Sequence, residues 1–531
     1  MTGVKLDADV GRSPPASLAA VSERFDWSPE PELIDVRDEA RSRAALEALG
    51  EQTWREALDW LYGEAMRRPM HGRTYPQARR MFFCATNRPA SAPISPALWN
   101  DVLAEFRERI APATYNAQHP GSFSYFTPPP LPGSIAGETL AQWIHQGVDV
   151  WHAGPIGTFV EEEVTAWLRD LIGFGREGWG VLTSGGVMAN LMAMTVARDV
   201  RLAALRSSPG APRGADLDGV RVYASDQTHF SISRALGVLG FPSDTLQVIE
   251  SDDGFRLRAA PVEAAIERDR AAGLTPLSIA AGAGSTNTGS VDDVAGLADV
   301  AERAGLWLHV DAAYGAAARL SPRDAHRVPA IERADSVTVD PHKWFFPAYD
   351  IGALIVRRRE DMLATFHQAP EYYASSRPED EPLDWYQYSI EGTRRFRALK
   401  LWMSWKQLGT AGLGRLIEDN DDLAAYLAAR CTAEPDFEAV PAEPELSIVC
   451  FRHLPAGHAT WPLEELDRYE SRLQRALELS GDAWVSVTTL RGRTFLRAGV
   501  VNYLSTPADV DVMLEALRRS SPQVQSDLGL A

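Results

Sequence analysis

One lysine stands out because of where the sequence places it. The run Ser336–Val339 has the apolar, β-branched character of a short strand, and Pro341 ends it, so Lys343 is expected on the following turn. The aromatic run 344–346 comes directly afterwards. An amine that such neighbours partly desolvate favours its neutral, nucleophilic form, which Schiff-base chemistry requires. An isolated lysine in an apolar run also fits a surface position beside a core tryptophan. Other residues of the chain are needed to distinguish a reactive lysine from a surface lysine.

A carboxylate and an imidazole follow two other apolar runs. Asp311 comes after Leu306–Val310, where a buried charge needs a partner or becomes neutral. His229 closes the turn SDQTH after the run Val220–Ala224, where a lone histidine also fits an ordinary hydrogen-bonded turn. His309 shares a strand face with Asp311, but no third ligand is evident, so the spacing does not favour a metal site.

Two turns of small residues are further candidate parts of a binding site. Thr183–Gly186 lies between a predicted strand and a predicted helix, where glycines let backbone N–H groups approach an anion such as a phosphate. This turn matches neither the P-loop lysine motif nor a full GxGxxG, and four small residues also form ordinary tight turns. The second turn, 283–289, is small and polar and is equally ambiguous by itself.

These residues need a scaffold, and from Trp179 onward short apolar runs alternate with helical patterns. Predicted helices begin at Val187, Ser231 and Asp292. The predicted strands are Trp179–Thr183, Val220–Ala224, Leu277–Ala281, Leu306–Val310, Ser336–Val339 and Ile351–Val356. Repeated strand–helix units predict an α/β domain with a largely parallel sheet. Ligands of such sheets bind at the carboxyl ends of the strands, where the residues above lie.

Helical patterns flank this region. Apolar residues recur at helical spacing in Leu46–Glu64 and around Leu98–Ile110, which predicts amphipathic helices that need a covering surface. Glu161–Ile172 is predicted as a helix whose three opening glutamates suit the positive end of the helix dipole. The Pro-rich, aromatic stretch His119–Pro130 fits either packing between helices or a pocket wall. From about Gly412, helices and strands alternate again.

The composition narrows the class of protein. The chain has 531 residues, of which 45% are hydrophobic and 24% charged, as in ordinary globular proteins. Its net charge of −19 argues against binding to nucleic acids or anionic membranes. Three scattered cysteines, the lack of a signal pattern and the lack of a run of 18 apolar residues predict a cytoplasmic protein with a loose acidic leader.

Four motifs together resemble the group II pyridoxal-phosphate decarboxylases, which include aromatic amino acid and glutamate decarboxylases. They are TSGGVMAN at Ser184, SDQTH at His229, HVDAAY at Asp311 and DPHKW at Lys343, in the chain order of that family. The resemblance runs from about Pro112 to Val501 and implies pyridoxal 5′-phosphate as cofactor. It also implies fold type I, which is aspartate aminotransferase-like, with a large mostly parallel sheet domain, a helical N-terminal segment and a small C-terminal α+β domain.

The resemblance implies a division of the chain and a state of assembly. We expect a flexible acidic leader at 1–45, a helical dimerisation segment at 46–125, a large cofactor-binding domain at 126–411 and a small domain at 412–531. The N-terminal helices would wrap a second copy, which gives a homodimer with active sites near the subunit interface.

The resemblance also implies roles for individual residues. Lys343 would hold the cofactor covalently, and Asp311 would pair with its pyridine nitrogen. His229 would stack over the ring near the substrate carboxylate, and Ala313 would pack beneath it. The phosphate would be bound by Ser184, Gly185, Gly186 and His342. The polar edge of the ring would be contacted by Thr286.

The proton donor is less directly indicated. Similar decarboxylases use a tyrosine on a mobile loop that closes over the partner's site, and the corresponding stretch here is about Glu371–Gly392. Ungapped alignment from Arg394 places Trp385 at that tyrosine, with Tyr386 next to it, so Tyr386 is the candidate donor if the loop shifts by one residue. Relatives without the tyrosine resemble aldehyde synthases, in which oxygen intercepts the reaction.

Other positions bear on the substrate. Asp340 stands where animal aromatic decarboxylases carry asparagine, and an anion there would repel a phosphate unless it is hydrogen-bonded away. Tyr125 and Phe126 are candidate pocket residues. At the positions aligned with the bulky pocket wall of those enzymes, this chain has the smaller residues Val148 and Val150. No basic residue presents itself for a distal acidic group, so an apolar or aromatic L-amino acid is expected.

Three functions follow as hypotheses. The first is decarboxylation of such an amino acid to its amine and carbon dioxide. The alternative is an oxygen-dependent aldehyde synthase, or an aminotransferase-like enzyme, on the same fold. The third is a catalytically silent binding protein, which the presence of Lys343, Asp311 and His229 disfavours.

Overall fold

The computed structural model of the protein describes residues 38–83, 92–93, 96–203, 212–368 and 382–530. The chain divides into two units, 1–63 and 64–531. The described part of the first unit is the helix Glu39–Tyr62, which begins about two turns before the predicted start at Leu46. Asp38 caps this helix, because its carboxylate accepts the Arg41 N–H at 3.2 Å. The first 37 residues of the predicted leader lie outside the described residues.

Seven strands form the central sheet of the second unit. They are β1 (Trp179–Thr183), β2 (Val220–Ser225), β3 (Leu246–Ile249), β4 (Thr275–Gly282), β5 (Trp307–Asp311), β6 (Ser336–Val339) and β7 (Gly352–Val356). Their order is β1-β7-β6-β5-β4-β2-β3. Strands β2 to β6 run parallel, and β7 is antiparallel to its neighbours β1 and β6. The predicted large, mostly parallel sheet is therefore confirmed.

All six predicted strands are present, and their ends differ from prediction by two residues at most. Strand β3 was not predicted. It has four residues, lies at the edge of the sheet and is mostly half-buried, so it lacks the long apolar run of the central strands. Strands β6 and β7 are buried along their whole length, as expected for strands that helices cover on both faces.

Helices cover the sheet and link its strands. The α-helices described in this unit are Tyr75–Phe83, Trp99–Glu105, Pro132–Ile144, Pro155–Ile172, Gly186–Arg201, Ser231–Val238, Ala259–Ala271, Val294–Ala304, Arg359–Phe366, Ala398–Ala433, Leu463–Ser480 and Pro507–Leu528.

A second helix also begins earlier than predicted. The helix that ends at Ile172 begins at Pro155, not at Glu161, because a proline at the first position has no N–H to leave unpaired. The three glutamates therefore do not lie at the positive helix end. Glu161 is 1% exposed and forms an ion pair with the equally buried Arg394.

A second, smaller sheet lies in the C-terminal part of the chain. Its strands are β8 (Phe437–Ala439), β9 (Ile448–His453), β10 (Ser486–Leu490) and β11 (Arg493–Gly499), all antiparallel in the order β10-β11-β9-β8. Residues of this sheet share a separate hydrophobic core with the helices Leu463–Ser480 and Pro507–Leu528. The expected small α+β domain is therefore present.

Two further predictions can be compared with the structure. Within the described residues, no helix combines the length and apolar character needed to cross a membrane. Cys431 and Cys450 are buried free thiols, which fits their scattered positions in the sequence, and Cys84 lies outside the described residues.

Candidate active site

The carboxyl ends of the parallel strands β2, β4, β5 and β6 open into one cavity of about 390 Å³. Parallel strands end at the same edge of a sheet, so residues far apart in sequence meet there. Ten residues singled out from the sequence line this cavity: Phe126, Ser184, Gly185, Gly186, His229, Thr286, Asp311, Ala313, His342 and Lys343.

Lys343 lies on the turn after β6, where Pro341 was expected to place it. Its side chain is 21% exposed, and Nζ lies 3.4 Å from Asp340 Oδ2 and 5.4 Å from the centre of the Phe126 ring. The aromatic run 344–346 is buried. A primary amine beside an aromatic ring in a mostly enclosed cavity can attack the carbonyl carbon of a bound molecule.

The turn 184–186 forms the start of the helix Gly186–Arg201. Gly185 has a φ of +152°, a conformation that residues with a side chain rarely adopt. A Cβ at Gly186 would lie 3.1 Å from Asp340 Oδ2 and 3.4 Å from Ala313 Cβ, so a side chain there would fill the space beside the helix end. Backbone N–H groups at the N-terminus of such a helix can bind a phosphate.

Asp340 lies at the same helix end. Its Oδ2 accepts the Gly186 N–H at 3.1 Å, whereas its Oδ1 makes no hydrogen bond. Although His342 Nδ1 lies 3.1 Å from Oδ1, this nitrogen pairs with the Ile351 carbonyl at 2.8 Å. Burial raises the pKa of Asp340, and Lys343 and His342 oppose that rise. Burial also lowers the pKa of His342. A carboxyl group in this setting can take up a proton when an anion binds beside it.

Asp311 ends β5 at the cavity wall. Its Oδ2 accepts an N–H of Asn190 at 2.7 Å, and its Oδ1 accepts the Ala313 N–H at 3.1 Å. These two bonds supply the partners that a carboxylate in this position requires, and they fix it where it can pair with a cationic ring nitrogen.

His309, the neighbour of Asp311 on the same strand face, has both ring nitrogens engaged. Nδ1 lies 2.9 Å from Ser336 Oγ, and Nε2 lies 2.9 Å from Asn190 Oδ1. Burial lowers the pKa of His309 to about 4, so the ring is neutral at pH 7. Its role is therefore that of a hydrogen-bonding residue behind the cavity.

His229 follows β2 and opens the segment that leads into the helix Ser231–Val238. Its Nδ1 lies 2.8 Å from Ser231 Oγ, and its ring centre lies 4.2 Å from that of Phe230, which is 52% exposed. Burial lowers the pKa of His229, Asp311 opposes this effect, and Lys343 adds to it. The imidazole is therefore neutral at pH 7 and can donate one hydrogen bond to a bound molecule.

Three predicted pocket residues do not line this cavity within the described part of the chain. Tyr125 is 56% exposed, and its ring packs against Trp484. Val148 is fully buried, and its backbone N–H donates to the Arg394 carbonyl at 2.8 Å. Val150 is half-buried. In a single copy of the chain, only Phe126 of the four predicted pocket residues reaches the cavity.

The predicted loop is partly described, because residues 369–381 lie outside the described residues. Trp385 is fully buried, stacks on Trp179 at 5.5 Å and donates its indole N–H to the Thr158 carbonyl at 3.3 Å. The Tyr386 hydroxyl donates to the Gln368 carbonyl at 3.1 Å. Neither side chain lines the cavity of its own chain, so the role of Tyr386 as proton donor stays a prediction.

Sequence reasoning missed Asp292, which lines the cavity. Its carboxylate accepts the Gly282 N–H at 2.6 Å and the Leu257 N–H at 2.7 Å, and burial raises the pKa of Asp292 to about 7. The sequence predicts Asp292 only as the first residue of a helix. The folded chain shows that its carboxylate closes the turn after β4.

Arg497 was also missed. It lies on β11 of the small sheet, 5% exposed, and its Nε donates to the Thr286 carbonyl at 2.8 Å. Its guanidinium lies 4.8 Å from the centre of the Phe126 ring, and Nη2 makes no hydrogen bond. Thus a buried cation contacts two cavity-lining residues, yet no local pattern in the sequence connects it to them.

These residues fit pyridoxal 5′-phosphate. The helix start at Gly186 offers backbone donors for the phosphate, and Asp311 offers a carboxylate for the pyridine nitrogen. Lys343 offers the amine that would hold the aldehyde carbon. Glycine at position 186 keeps the helix start clear of a side chain, since a Cβ there would lie 3.1 Å from Asp340 Oδ2.

Comparison with known proteins agrees with this geometry. Residues 84–454 match the family model described as the pyridoxal-dependent decarboxylase conserved domain. The chain is 33% identical over 411 residues to an aromatic-L-amino-acid decarboxylase of Bacillus atrophaeus, which covers 77% of this chain and 82% of that protein. It is 29% identical over 443 residues to a phenylacetaldehyde synthase of Petunia hybrida, which covers 81% and 86% of the two chains.

Solved structures show the same similarity in three dimensions. The crystal structure of Oryza sativa TDC with PLP and tryptamine superposes with a TM-score of 0.82 and 28% identity, over 93% of this chain and 99% of that chain. Mouse CSAD superposes with a TM-score of 0.81 and 26% identity, over 90% of this chain and 99% of that chain.

Proposed function

Because the chain belongs to the family of pyridoxal-dependent decarboxylases, we propose that it removes the α-carboxylate of an aromatic L-amino acid and releases the corresponding amine. It is a pyridoxal phosphate-dependent carboxy-lyase. The observation that carries the proposal is the meeting of Lys343, Asp311 and His229 around one cavity, which the N-terminus of the helix Gly186–Arg201 also lines.

Each residue has a distinct task in this proposal. When bound, the cofactor supplies a ring that accepts the electrons of the bond to the carboxylate. Lys343 would hold the cofactor through its amine. Asp311 would keep a proton on the ring nitrogen, and His229 would donate a hydrogen bond that orients the substrate carboxylate. A carboxylate held in one orientation favours cleavage of its own bond over the other bonds of the same carbon.

Aromatic residues at the cavity favour an aromatic substrate. Phe126, Phe230 and Tyr314 line it, and Phe126 and Tyr314 pack with ring centres 4.6 Å apart. Among the described residues, the cavity lining contains no arginine, and its one lysine is Lys343. A substrate with a distal carboxylate would therefore find no cation in the lining besides Lys343; the guanidinium of Arg497 lies behind Phe126 and Thr286. Named relatives act on aromatic L-amino acids, which supports the same class.

A second copy of the chain would complete the site. The helix Pro132–Ile144 exposes large apolar side chains, with Trp143 55% and Ile144 50% exposed, and Phe159 on the next helix is 51% exposed. Burial of this surface would stabilise a homodimer. Val148 is fully buried within its own chain, so of these two residues only the half-buried Val150 would be able to contact the cavity of the partner.

An oxygen-dependent aldehyde synthase is the second candidate. Trp385 packs in the core at the position aligned with the tyrosine of the decarboxylases, and one of the relatives is a phenylacetaldehyde synthase. In that reaction one molecule of oxygen and one of water are consumed, and the aldehyde, carbon dioxide, ammonia and hydrogen peroxide are released.

A substrate panel tests the class of amino acid. The holoenzyme is incubated with L-Trp, L-Tyr, L-Phe, L-Val, L-Leu and L-Glu, and kcat/KM for carbon dioxide release is measured for each. We expect the three aromatic substrates to lead and L-Glu to be inactive. Borohydride reduction followed by peptide mass spectrometry is expected to find the cofactor on Lys343, and a Lys343→Ala variant should retain neither attachment nor activity. A preference for L-Glu would refute the substrate class.

A further inference from the structure

A chain of hydrogen bonds runs behind the cavity and starts at a tryptophan. The Trp307 indole N–H donates to Ser336 Oγ at 2.8 Å, and the same Oγ lies 2.9 Å from Nδ1 of His309. Nε2 of His309 lies 2.9 Å from Oδ1 of Asn190. All four residues are buried, with Asn190 1% exposed. The cavity wall is therefore backed by a continuous polar network inside the core.

The network continues from Asn190 to two residues of the cavity. Its Nδ2 donates to Asp311 Oδ2 at 2.7 Å and to Ser231 Oγ at 2.7 Å. Ser231 Oγ in turn lies 2.8 Å from Nδ1 of His229. One amide side chain thus contacts Asp311 directly and contacts His229 through a single hydroxyl.

The direction of these hydrogen bonds follows from the groups at the two ends of the network, one of which can only donate and the other only accept. An indole N–H can only donate, so Ser336 Oγ accepts from Trp307. The Asn190 carbonyl oxygen can only accept, so neutral His309 carries its proton on Nε2 and donates it there, which leaves Nδ1 to accept from the Ser336 hydroxyl. At the other end the Asp311 carboxylate can only accept, which requires the Asn190 NH₂ group on that side. The Thr338 hydroxyl, 2.6 Å from Asn190 Oδ1, agrees with this orientation.

The same reasoning fixes the tautomer of His229. Because Ser231 Oγ accepts from Asn190, its hydrogen is free to donate to His229 Nδ1. The backbone N–H of Ser231 also lies toward that nitrogen, at 3.4 Å. Two donors directed at Nδ1 leave no room for a proton on it. The proton of a neutral His229 therefore sits on Nε2.

We infer that Asn190 and Ser231 are positioning residues that hold His229 neutral, with its N–H on Nε2, as the donor to the substrate carboxylate. The inference deepens the proposed function and rests on it for the identity of the acceptor. The four charged and titratable groups that act on His229 come from three segments of the chain: Asp311, the turn with Asp340 and Lys343, and Arg234. Loss of the Ser231 donor removes a bond that only the neutral ring can accept, so a Ser231→Ala variant should protonate more easily.

The test compares Ser231→Ala with Ser233→Ala, using ¹⁵N NMR of histidine-labelled holoenzyme and pH profiles of kcat/KM. His229→Gln identifies the resonance by its loss. Ser233 lies on the same helix, is exposed and donates to the Phe230 carbonyl, so it serves as the matched control. We expect wild type and Ser233→Ala to show the Nε2–H tautomer of His229. Ser231→Ala should show a mixture of tautomers, and the pH below which kcat/KM falls should rise by about half to one unit.

The two readouts separate this inference from the proposed function. The NMR signal needs bound cofactor but no turnover, so it remains informative if the substrate assignment fails. An Nδ1–H tautomer in the wild type, or an unchanged tautomer and pH profile in Ser231→Ala, would overturn the inference. As a second measure that keeps the fold intact, His229→Gln places an amide N–H near the Nε2 position and should retain more activity than His229→Asn, which places it near Nδ1. The reverse order would also overturn it.

Discussion

Asp340 should make cofactor binding depend on pH, and Asp340→Asn should remove that dependence. Its Oδ2 already accepts the Gly186 N–H at 3.1 Å, which is a donor expected to serve the cofactor phosphate. If a phosphate binds about 5 Å from the carboxylate, the two like charges repel each other. At an effective dielectric constant near 20, one pair of like charges at that distance costs about 3 kcal/mol. That amount corresponds to about two pKa units or a hundredfold change in Kd.

The sign of the effect follows from proton linkage. Phosphate raises the pKa of Asp340 further above its value in the free protein, where burial has already raised it. Below the pKa of the free protein the carboxyl is neutral in both states, and the affinity for the cofactor is full. As the pH rises from that pKa to the higher pKa of the complex, the affinity falls by about tenfold per unit. The neutral amide of Asp340→Asn should bind with a flatter pH profile and up to about a hundredfold more tightly at high pH.

Calorimetric titration of the cofactor-free protein measures both quantities. Pyridoxine 5′-phosphate is the first probe, because it lacks the aldehyde and leaves the Lys343 amine free. Titration in two buffers of different ionisation enthalpy should show that wild type takes up more protons than Asp340→Asn, by up to about one per site. Asp421→Asn is the matched control, since Asp421 is buried and its pKa is raised to about 8, but it does not line the cavity. Equal proton uptake and parallel Kd profiles for wild type and Asp340→Asn would refute the reasoning.

Three further outcomes are expected. Gly352→Ala should weaken cofactor binding at least tenfold, measured by titration, because its Cβ would lie 2.5 Å from the Gly185 backbone and displace the phosphate turn. Glu161→Gln should lower the free energy of unfolding by about 3 kcal/mol, measured by urea denaturation, because it leaves the charge of Arg394 buried without its partner. Asp311→Asn should lower kcat by about a thousandfold, because an ion pair worth about 4 kcal/mol at about 4 Å no longer holds the ring proton.

Matched variants show whether these losses are specific. Gly237→Ala meets no atom within 4 Å and should leave cofactor affinity unchanged. Glu163→Gln, on the same helix as Glu161 but 44% exposed, should change the free energy of unfolding by less than about 1 kcal/mol. Losses of the same size in a variant and its control would show that the contact named above is not the cause.

The sequence was sufficient to place the residues that belong to short strand-end motifs. Strands β1 and β6 have the bounds predicted from their apolar runs, and Lys343 lies on the turn that Pro341 imposes. Because the carboxyl ends of parallel strands lie at the same edge of a sheet, the motifs that follow these strands meet at that edge. The same logic missed β3, since four residues at the sheet edge, none of them buried, carry too little periodic signal.

Residues whose roles depend on distant contacts could not be predicted. Arg497 reaches the cavity region only because the small sheet packs behind Phe126. Asn190 ends the TSGGVMAN motif, but its contacts with Asp311 and Ser231 exist only in the folded chain. Trp385 resembles a loop residue in sequence, but stacking on Trp179 buries it. In each case the decisive interaction joins segments that no local pattern relates.

The most direct test of the central claim is the stoichiometry of products from the preferred aromatic L-amino acid. Carbon dioxide, amine, aldehyde, hydrogen peroxide and oxygen consumption are measured together in one reaction of the holoenzyme, with Lys343→Ala as the blank. A decarboxylase should yield one amine for each carbon dioxide, with no peroxide and no oxygen consumed. Aldehyde and peroxide in amounts equal to carbon dioxide, with matching oxygen uptake, would contradict the account and identify an aldehyde synthase instead.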